Sequence, residues 1–167
     1  DILNAMELRR LSARTGEPIA ALRGYHDHKK SADRLQSERL ADEEFKGLRA
    51  VLELCIGARV LLTQNLKVEK GAVNGALGYV RGFMWPPNGD PASAETALRC
   101  PLIVFVEFDE VDLGTLADGT PFSFFPGEPS RAKWVPIFRA KAKGITEDQV
   151  WREQFPLTLA WALTHWK

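Results

Sequence analysis

Thr164, His165, Trp166 and Lys167 place a hydroxyl, an imidazole, an indole and an ammonium in consecutive positions. A hydroxyl and backbone N–H groups near a helix start can hold a phosphate, while Trp166 offers a stacking face and Lys167 adds charge. The plainer alternative is a core aromatic followed by a solvated lysine. Gln64, Asn65 and Asn74 carry amides able to bond a polar ligand, although an Asn at a turn ordinarily bonds backbone. Arg131, Lys133, Arg139, Lys141 and Lys143 fall in one stretch without an acid, opposed by Glu107, Asp109, Glu110, Asp112 and Asp118. Such a stretch can follow a phosphate backbone through Lys133, Arg139 and Lys141, or can simply be a solvated face.

Other chemistry is thinly supported. His26 and His28 form a His-x-His pair, but no third ligand lies nearby, so the stretch Gly24 to Ser37 reads as a solvated loop. Cys55 and Cys100 stand apart, which predicts two reduced thiols with Cys55 in the core. No Ser-His-Asp or Cys-His arrangement is suggested locally, and G-x-x-x-x-G-K-[ST] occurs nowhere in the chain. With 22 Lys+Arg against 22 Asp+Glu the net charge is zero, so any contact with a polyanion must come from local patches.

The elements that position these residues follow from pattern. At 167 residues and 45% hydrophobic, the chain can bury one core, or one core and a small satellite. No window approaches eighteen apolar residues and no basic-then-apolar leader is present, which predicts a soluble, intracellular protein without a membrane partner. A start at Asp1 predicts a piece of something longer. Apolar spacing predicts helices over 1–11 and 35–54. Arg59 to Thr63 reads as a strand, and Asn74-Gly75 as a tight hairpin turn that uses positive φ. Gly78 and Gly82 predict bulges or close backbone approach.

Pro101 to Asp109 is the clearest strand, with Leu102, Val104 and Val106 on one face. Asp118-Gly119 is a second hairpin signal. Trp134 to Phe138 reads as a last strand that Pro136 places at an edge. Gly144 to Arg152 reads as polar connector, and Leu157 to Leu163 as a core strand with a helix just beyond. Short strands separated by turns suit an SH3-like or OB-like small barrel at 65–145, set between flanks 1–64 and 146–167. The predicted class is α/β flanks with an inserted small β-barrel, mixed α+β overall.

GARVLLTQNLKVEKGAVNGALGYV, Gly57 to Val80, resembles a segment of Pif/RecD-type superfamily-one DNA helicases that reads G-A-x-V-M-L-x-x-N-L, then G-L-V-N-G-x-x-G-x-V. The match runs through Gly57, Ala58, Val60, Leu62, Asn65, Leu66, Gly71, Val73, Asn74, Gly75, Gly78 and Val80. QFPLTLAWALTHWK, Gln154 to Lys167, is similar to that family's Q-x-P-L-x-L-A-W-A-x-T-I-H-K-S-Q-G. Asn4 and Phe45 to Leu48 also sit where the family carries similar residues. In place of T-I-H-K this chain has Thr164-His165-Trp166-Lys167, so Trp166 occupies the histidine position and His165 the apolar one.

The resemblance implies that the flanks belong to the second RecA-like motor domain and that the middle is an SH3-like insert. It implies a parent enzyme that hydrolyses ATP with Mg2+, moves 5′ to 3′ on single-stranded DNA, works with a first RecA-like motor domain and, in a eukaryote, resides in nucleus or mitochondrion. Without the phosphate loop and a Walker-B carboxylate, no ATPase is expected of this chain alone. A non-catalytic barrel module that binds protein or RNA is the alternative.

Overall fold

The computed structural model describes residues 2–27, 39–66, 72–89, 100–145 and 150–161. The first element is helix α1, Ile2–Thr15. It turns Leu8 inward with Leu11 beside it, and stops where Gly16 takes a φ of +77°. Strands β1 (Ala20–Arg23), β2 (Tyr25–Asp27), β3 (Val51–Leu54) and β4 (Arg59–Leu62) follow. Then come β5 (Leu77–Met84), β6 (Ile103–Phe108), β7 (Val135–Ile137), β8 (Ala140–Lys143), β9 (Trp151–Gln154) and β10 (Leu157–Leu159).

All described pairings are antiparallel, and they build a two-stranded sheet β1-β3, a five-stranded sheet β10-β4-β5-β6-β7 and a three-stranded sheet β2-β9-β8. The five-stranded sheet draws β4 from 1–64, β5 to β7 from 65–145 and β10 from 146–167. The three-stranded sheet likewise takes one strand from each segment. The class is mixed α+β. The expected small barrel is not closed: β10 and β7 are the two edges of an open sheet. Among the described residues no helix is long and apolar enough to cross a membrane.

Alternation decides the core. Val60, Leu62, Val80, Val104, Val106, Phe108, Val135, Ile137 and Leu157 line the buried side of the larger sheet, against Leu8, Leu22, Leu52, Leu54 and Phe155. Each such side chain contributes about 1.5–3 kcal/mol when fully buried. Cys55 lies in this core, as expected, and burial together with the Glu17 charge pushes its thiol up to about 11. A second, smaller cluster of Phe45, Leu48, Ala142 and Val150 sits with the three-stranded sheet.

The turns show how the larger sheet bends. Val73 O accepts from the Ala76 N–H at 2.9 Å across Asn74-Gly75, and only Gly75 has positive φ, at +97°. The turn is therefore type II rather than the doubly positive hairpin turn expected. Gly78 permits close approach: a Cβ there would lie 2.6 Å from Glu107 O. The register between β5 and β6 shifts from Val80 to Gly82, so the predicted bulge is present at Arg81. β6 and the edge strand β7, with Pro136 opposite Phe105, also match expectation. Asp118-Gly119 makes a small turn closed by one bridge between Thr115 and Pro121.

Several expectations are overturned. Of the stretch read as helical or partly helical over 35–54, residues 35–38 lie outside the described residues and Arg39 is helical, but from Asp42 onward a 3-10 turn at Asp42–Phe45 and strand β3 stand in place of the expected helix. Lys46 (φ 55°) and Gly47 (φ 79°) are left-handed and end the turn, and pairing with β1 then claims Val51–Leu54. The solvated loop read from Gly24 contains β2, where His26 is buried. The connector read over Gly144 to Arg152 contains buried Val150 and the start of β9. The strand read over Leu157 to Leu163 is shorter, Leu157–Leu159, and runs along an edge of the sheet rather than through a core.

Candidate nucleic-acid interface

The loop after β4 gathers the predicted amides. Thr63 N–H donates to Pro156 O at 2.8 Å and Leu66 N–H to Ala72 O at 2.9 Å, so the loop is tied to both β10 and the Asn74-Gly75 turn. Asn65 Oδ1 accepts from the Asn74 N–H at 2.7 Å. Asn65 and Asn74 are thus brought together, and both are exposed, although the acceptor of Asn65 serves the backbone. The Thr63 hydroxyl and the Gln64 Nε2 are buried without a hydrogen-bond partner.

The basic stretch is divided by the fold. Lys133 is exposed, just before β7, while Arg139 follows β7 and Lys141 lies on β8. Six residues of extended chain separate Lys133 from Arg139 by up to about 20 Å. Arg139 Nε lies 3.7 Å from Glu153, and the Lys141 ammonium sits 5.3 Å from the Trp151 ring centre. Both cations are therefore held by β9. Two members of the acidic block are similarly engaged: Arg81 pairs with Glu107 at 3.0 Å, and Arg59 grips Asp109 through two bonds of 2.8 and 2.5 Å. That fork holds the Asp109 carboxyl below its ordinary value. Tyr79 stacks beneath Arg59 at 4.5 Å. Of the two opposed charge blocks, Arg139, Glu107 and Asp109 are thus drawn into pairs that cross strands.

What the sequence reading passed over is an arginine set among aromatics. Phe105, Phe125 and Trp134 meet with ring centres 5.2 to 6.0 Å apart, and the Arg131 guanidinium lies 5.0 Å from Trp134 and 5.6 Å from Phe125. Arg131 also reaches Glu128 at 3.3 Å. This cluster buries the outer side of β6 at Phe105, which alternation alone leaves half wet. The signal was available in the close spacing of Phe122, Phe124, Phe125, Arg131, Lys133 and Trp134. These residues put exposed charge beside aromatic faces, the combination that suits a single nucleic-acid strand.

Thr164, His165, Trp166 and Lys167 lie outside the described residues. The chain before them is described up to Trp161, which is half-buried against the main core. Ala160 N–H donates to Arg59 O at 3.0 Å. On the other side of β10, the buried Asn4 amide donates to Leu159 O at 3.1 Å, and Arg49 Nε and one terminal nitrogen donate to the Thr158 hydroxyl at 3.1 and 3.0 Å. A cleft of about 160 Å³ opens here among Asn4, Arg49, Val51, Leu52, Glu53 and Leu159.

A separate polar centre lies beneath the three-stranded sheet. Arg152 is fully buried and donates to His26 Nε2, Asp42 Oδ1 and Leu48 O, each at 2.8 Å, and to Leu40 O at 3.0 Å. Its guanidinium lies 4.2 Å from the Phe45 ring centre. Burial lowers its pKa, and Asp42 opposes that shift. His26 thus acts as a hydrogen-bond acceptor within the fold; His28 lies outside the described residues. Among the described residues no three His, Cys, Asp or Glu side chains converge as a metal site. With no phosphate loop in the sequence, the described residues do not by themselves fit a magnesium–triphosphate site.

No family model and no curated protein matches this sequence. Solved structures do. The crystal structure of Pif1 helicase from Candida albicans matches at 20% identity and a TM-score of 0.54, over 96% of this chain and 32% of its own. A structure of two coordinating Pif1 helicases unwinding forked dsDNA matches over 94% of this chain and 26% of its own, at 19% identity and a TM-score of 0.49. Bacteroides Pif1 bound to ssDNA matches over 93% of this chain and 28% of its own, at 17% identity and a TM-score of 0.46. This chain therefore spans about a third of the length of the Candida protein and shares the fold of that part of a Pif1 helicase.

Proposed function

We propose that this chain is part of the second motor domain of a Pif/RecD-type ATP-dependent DNA helicase, with residues 65–145 as its SH3-like insert. The observation that carries the proposal is that the Gly57 to Val80 run, which resembles the helicase segment, is built as β4, a turn and β5 inside a fold shared with Candida Pif1 over 96% of the chain. The glycines of that run meet local demands, since Gly75 takes positive φ and Gly78 has no room for a Cβ. In this reading the chain contributes single-stranded DNA binding and the coupling of motion to ATP hydrolysis. ATP and Mg2+ are held mainly by the first RecA-like motor domain, and movement runs 5′ to 3′. The chain alone is no ATPase.

Thr164, His165, Trp166 and Lys167 approach DNA beyond β10, Gln64, Asn65 and Asn74 at the β4 loop, and Lys133 beside Trp134. Arg139 and Lys141 contribute less, because Glu153 and Trp151 already engage them. The test is ATPase and unwinding by the whole protein, together with DNA affinity against salt for Lys133→Ala, Arg139→Ala and Lys141→Ala. Weaker binding and a flatter salt slope are expected, with Lys133→Ala the largest of the three. An unchanged slope removes the basic residues from the interface. A whole protein that neither hydrolyses ATP nor unwinds DNA favours a non-catalytic module for protein or RNA.

A further inference from the structure

We propose that the outer face of the five-stranded sheet, at the row Met84, Ile103 and Phe138, is a stacking platform for the bases of single-stranded DNA. The inference rests on the helicase reading above and deepens it, since it names a surface that takes bases, apart from the cations that take phosphates.

The row follows from register. Met84 on β5 stands opposite Ile103 on β6. β6 pairs with β7 through Val104 and Ile137, so one further step places Phe138 beside Ile103. Their neighbours Phe83, Val104 and Ile137 face the core, and alternation therefore turns all three outward. Met84 is 44% exposed and Phe138 59%, while Ile103 between them is half-buried. Single exposed apolar residues are ordinary, but three abreast on neighbouring strands form a patch suited to a partner. Two inter-strand gaps make the row about 10 Å wide, room for two splayed bases.

The adjoining rows are already filled. Gly82, Phe105 and Pro136 lie abreast, and Trp134 and Phe125 cover Phe105. Beyond them Arg81 pairs with Glu107, and Arg59 lies over Tyr79. Of these three rows, the one at Met84 keeps its apolar surface open.

Charge selects the occupant. Arg131 lies over Trp134 and Phe125 with 45% of its side chain exposed, and Lys133 nearby is exposed. Arg139, next in the chain to Phe138, reaches the Cys100 sulfur at 3.6 Å, three residues before Ile103. Glu128 and Glu153 face Arg131 and Arg139 across 3.3 and 3.7 Å, but partly exposed pairs of this kind are weak and yield to a phosphate. An apolar row with an aromatic ring, bordered by cations, matches a strand whose flat bases lie on the sheet while its phosphates meet the rim. An extended peptide would instead pair with the edge at β7, where Pro136 has no N–H to give.

The experiment measures the affinity of the whole protein for a thymidine oligonucleotide and for an abasic oligonucleotide of the same length and charge. Wild type should bind the thymidine oligonucleotide more tightly. Phe138→Ala should weaken that binding about fivefold or more, leave the abasic affinity and the salt slope unchanged, and keep the melting temperature within a few degrees because the ring is exposed. Met84→Ala should act in the same direction but less, and Phe138→Trp should bind as wild type does. Lys133→Ala is the reference for phosphate contact and should weaken both oligonucleotides alike. If Lys133→Ala does so and Phe138→Ala changes neither, the platform falls and the helicase reading stands. Equal losses on both oligonucleotides in Phe138→Ala also overturn stacking. Loss of self-association or of a protein partner in Phe138→Ala, with thymidine affinity unchanged, overturns it and gives the face to protein. A whole protein that binds neither oligonucleotide and hydrolyses no ATP overturns both readings.

Discussion

The two larger sheets hold together by opposite means. The five-stranded sheet buries an almost wholly apolar side, and its charges are kept to the outer face, where Arg59, Arg81, Glu107 and Asp109 pair around Tyr79. The three-stranded sheet has a small apolar cluster and depends on a fully buried arginine that binds a histidine, a carboxylate and two carbonyls. Apolar packing tolerates changes that preserve volume, whereas a buried polar centre fails when one member is lost. The smaller sheet should therefore be the more brittle.

The strongest challenge to that contrast is Arg152→Ala, which strands Asp42, His26 and two carbonyls and should cost about 3–5 kcal/mol in denaturant unfolding. A variant as stable as wild type would remove the contrast. Next is Gly78→Ala in the apolar sheet, where the added methyl meets Glu107 O and Val106; overpacking of this kind should cost about 1–3 kcal/mol, read from the same midpoint shift. Cys55 then reports how dry the larger core is. Its thiol keeps its proton in the fold up to about 11, while an unfolded chain releases it near 9.0. That contribution is complete below pH 9 and is lost between pH 9 and 11, so stability should fall over that window. Cys55→Ala should shrink the fall, leaving the part due to the buried Cys100 thiol, whose pKa burial also raises. The smallest effect is expected from Arg131→Ala and Lys133→Ala, within about 0.5 kcal/mol, because both lie at the surface. A large loss at either would mean that the aromatic cluster outside β6 is structural.

Much of the larger sheet was legible because its determinants are local. Alternation marks β6, proline marks the edge at β7, and Asn74-Gly75 and Gly78 mark a turn and a close approach whose cause is steric. The smaller sheet was not legible, since its determinants are distant in sequence. Arg152 sits in a polar stretch, and nothing there announces partners at 26, 40, 42 and 48. Helical spacing over Leu40 to Leu52 was real, but Lys46-Gly47 in left-handed conformation and pairing with β1 outweighed it. The candidate site suffered similarly: a basic run looked continuous until Glu153 and Trp151, brought in by β9, claimed Arg139 and Lys141. The arginine–aromatic cluster was missed because its members were read as strand and charge separately.

Pro136 has a consequence at the edge it occupies. A strand with no N–H at its middle residue offers an incomplete ladder to any incoming chain, and at the opposite border Asn4 already occupies the Leu159 carbonyl. The five-stranded sheet is thus a poor template for edge-to-edge growth at either margin, which guards a sheet rich in valine and leucine against fibril-like self-association.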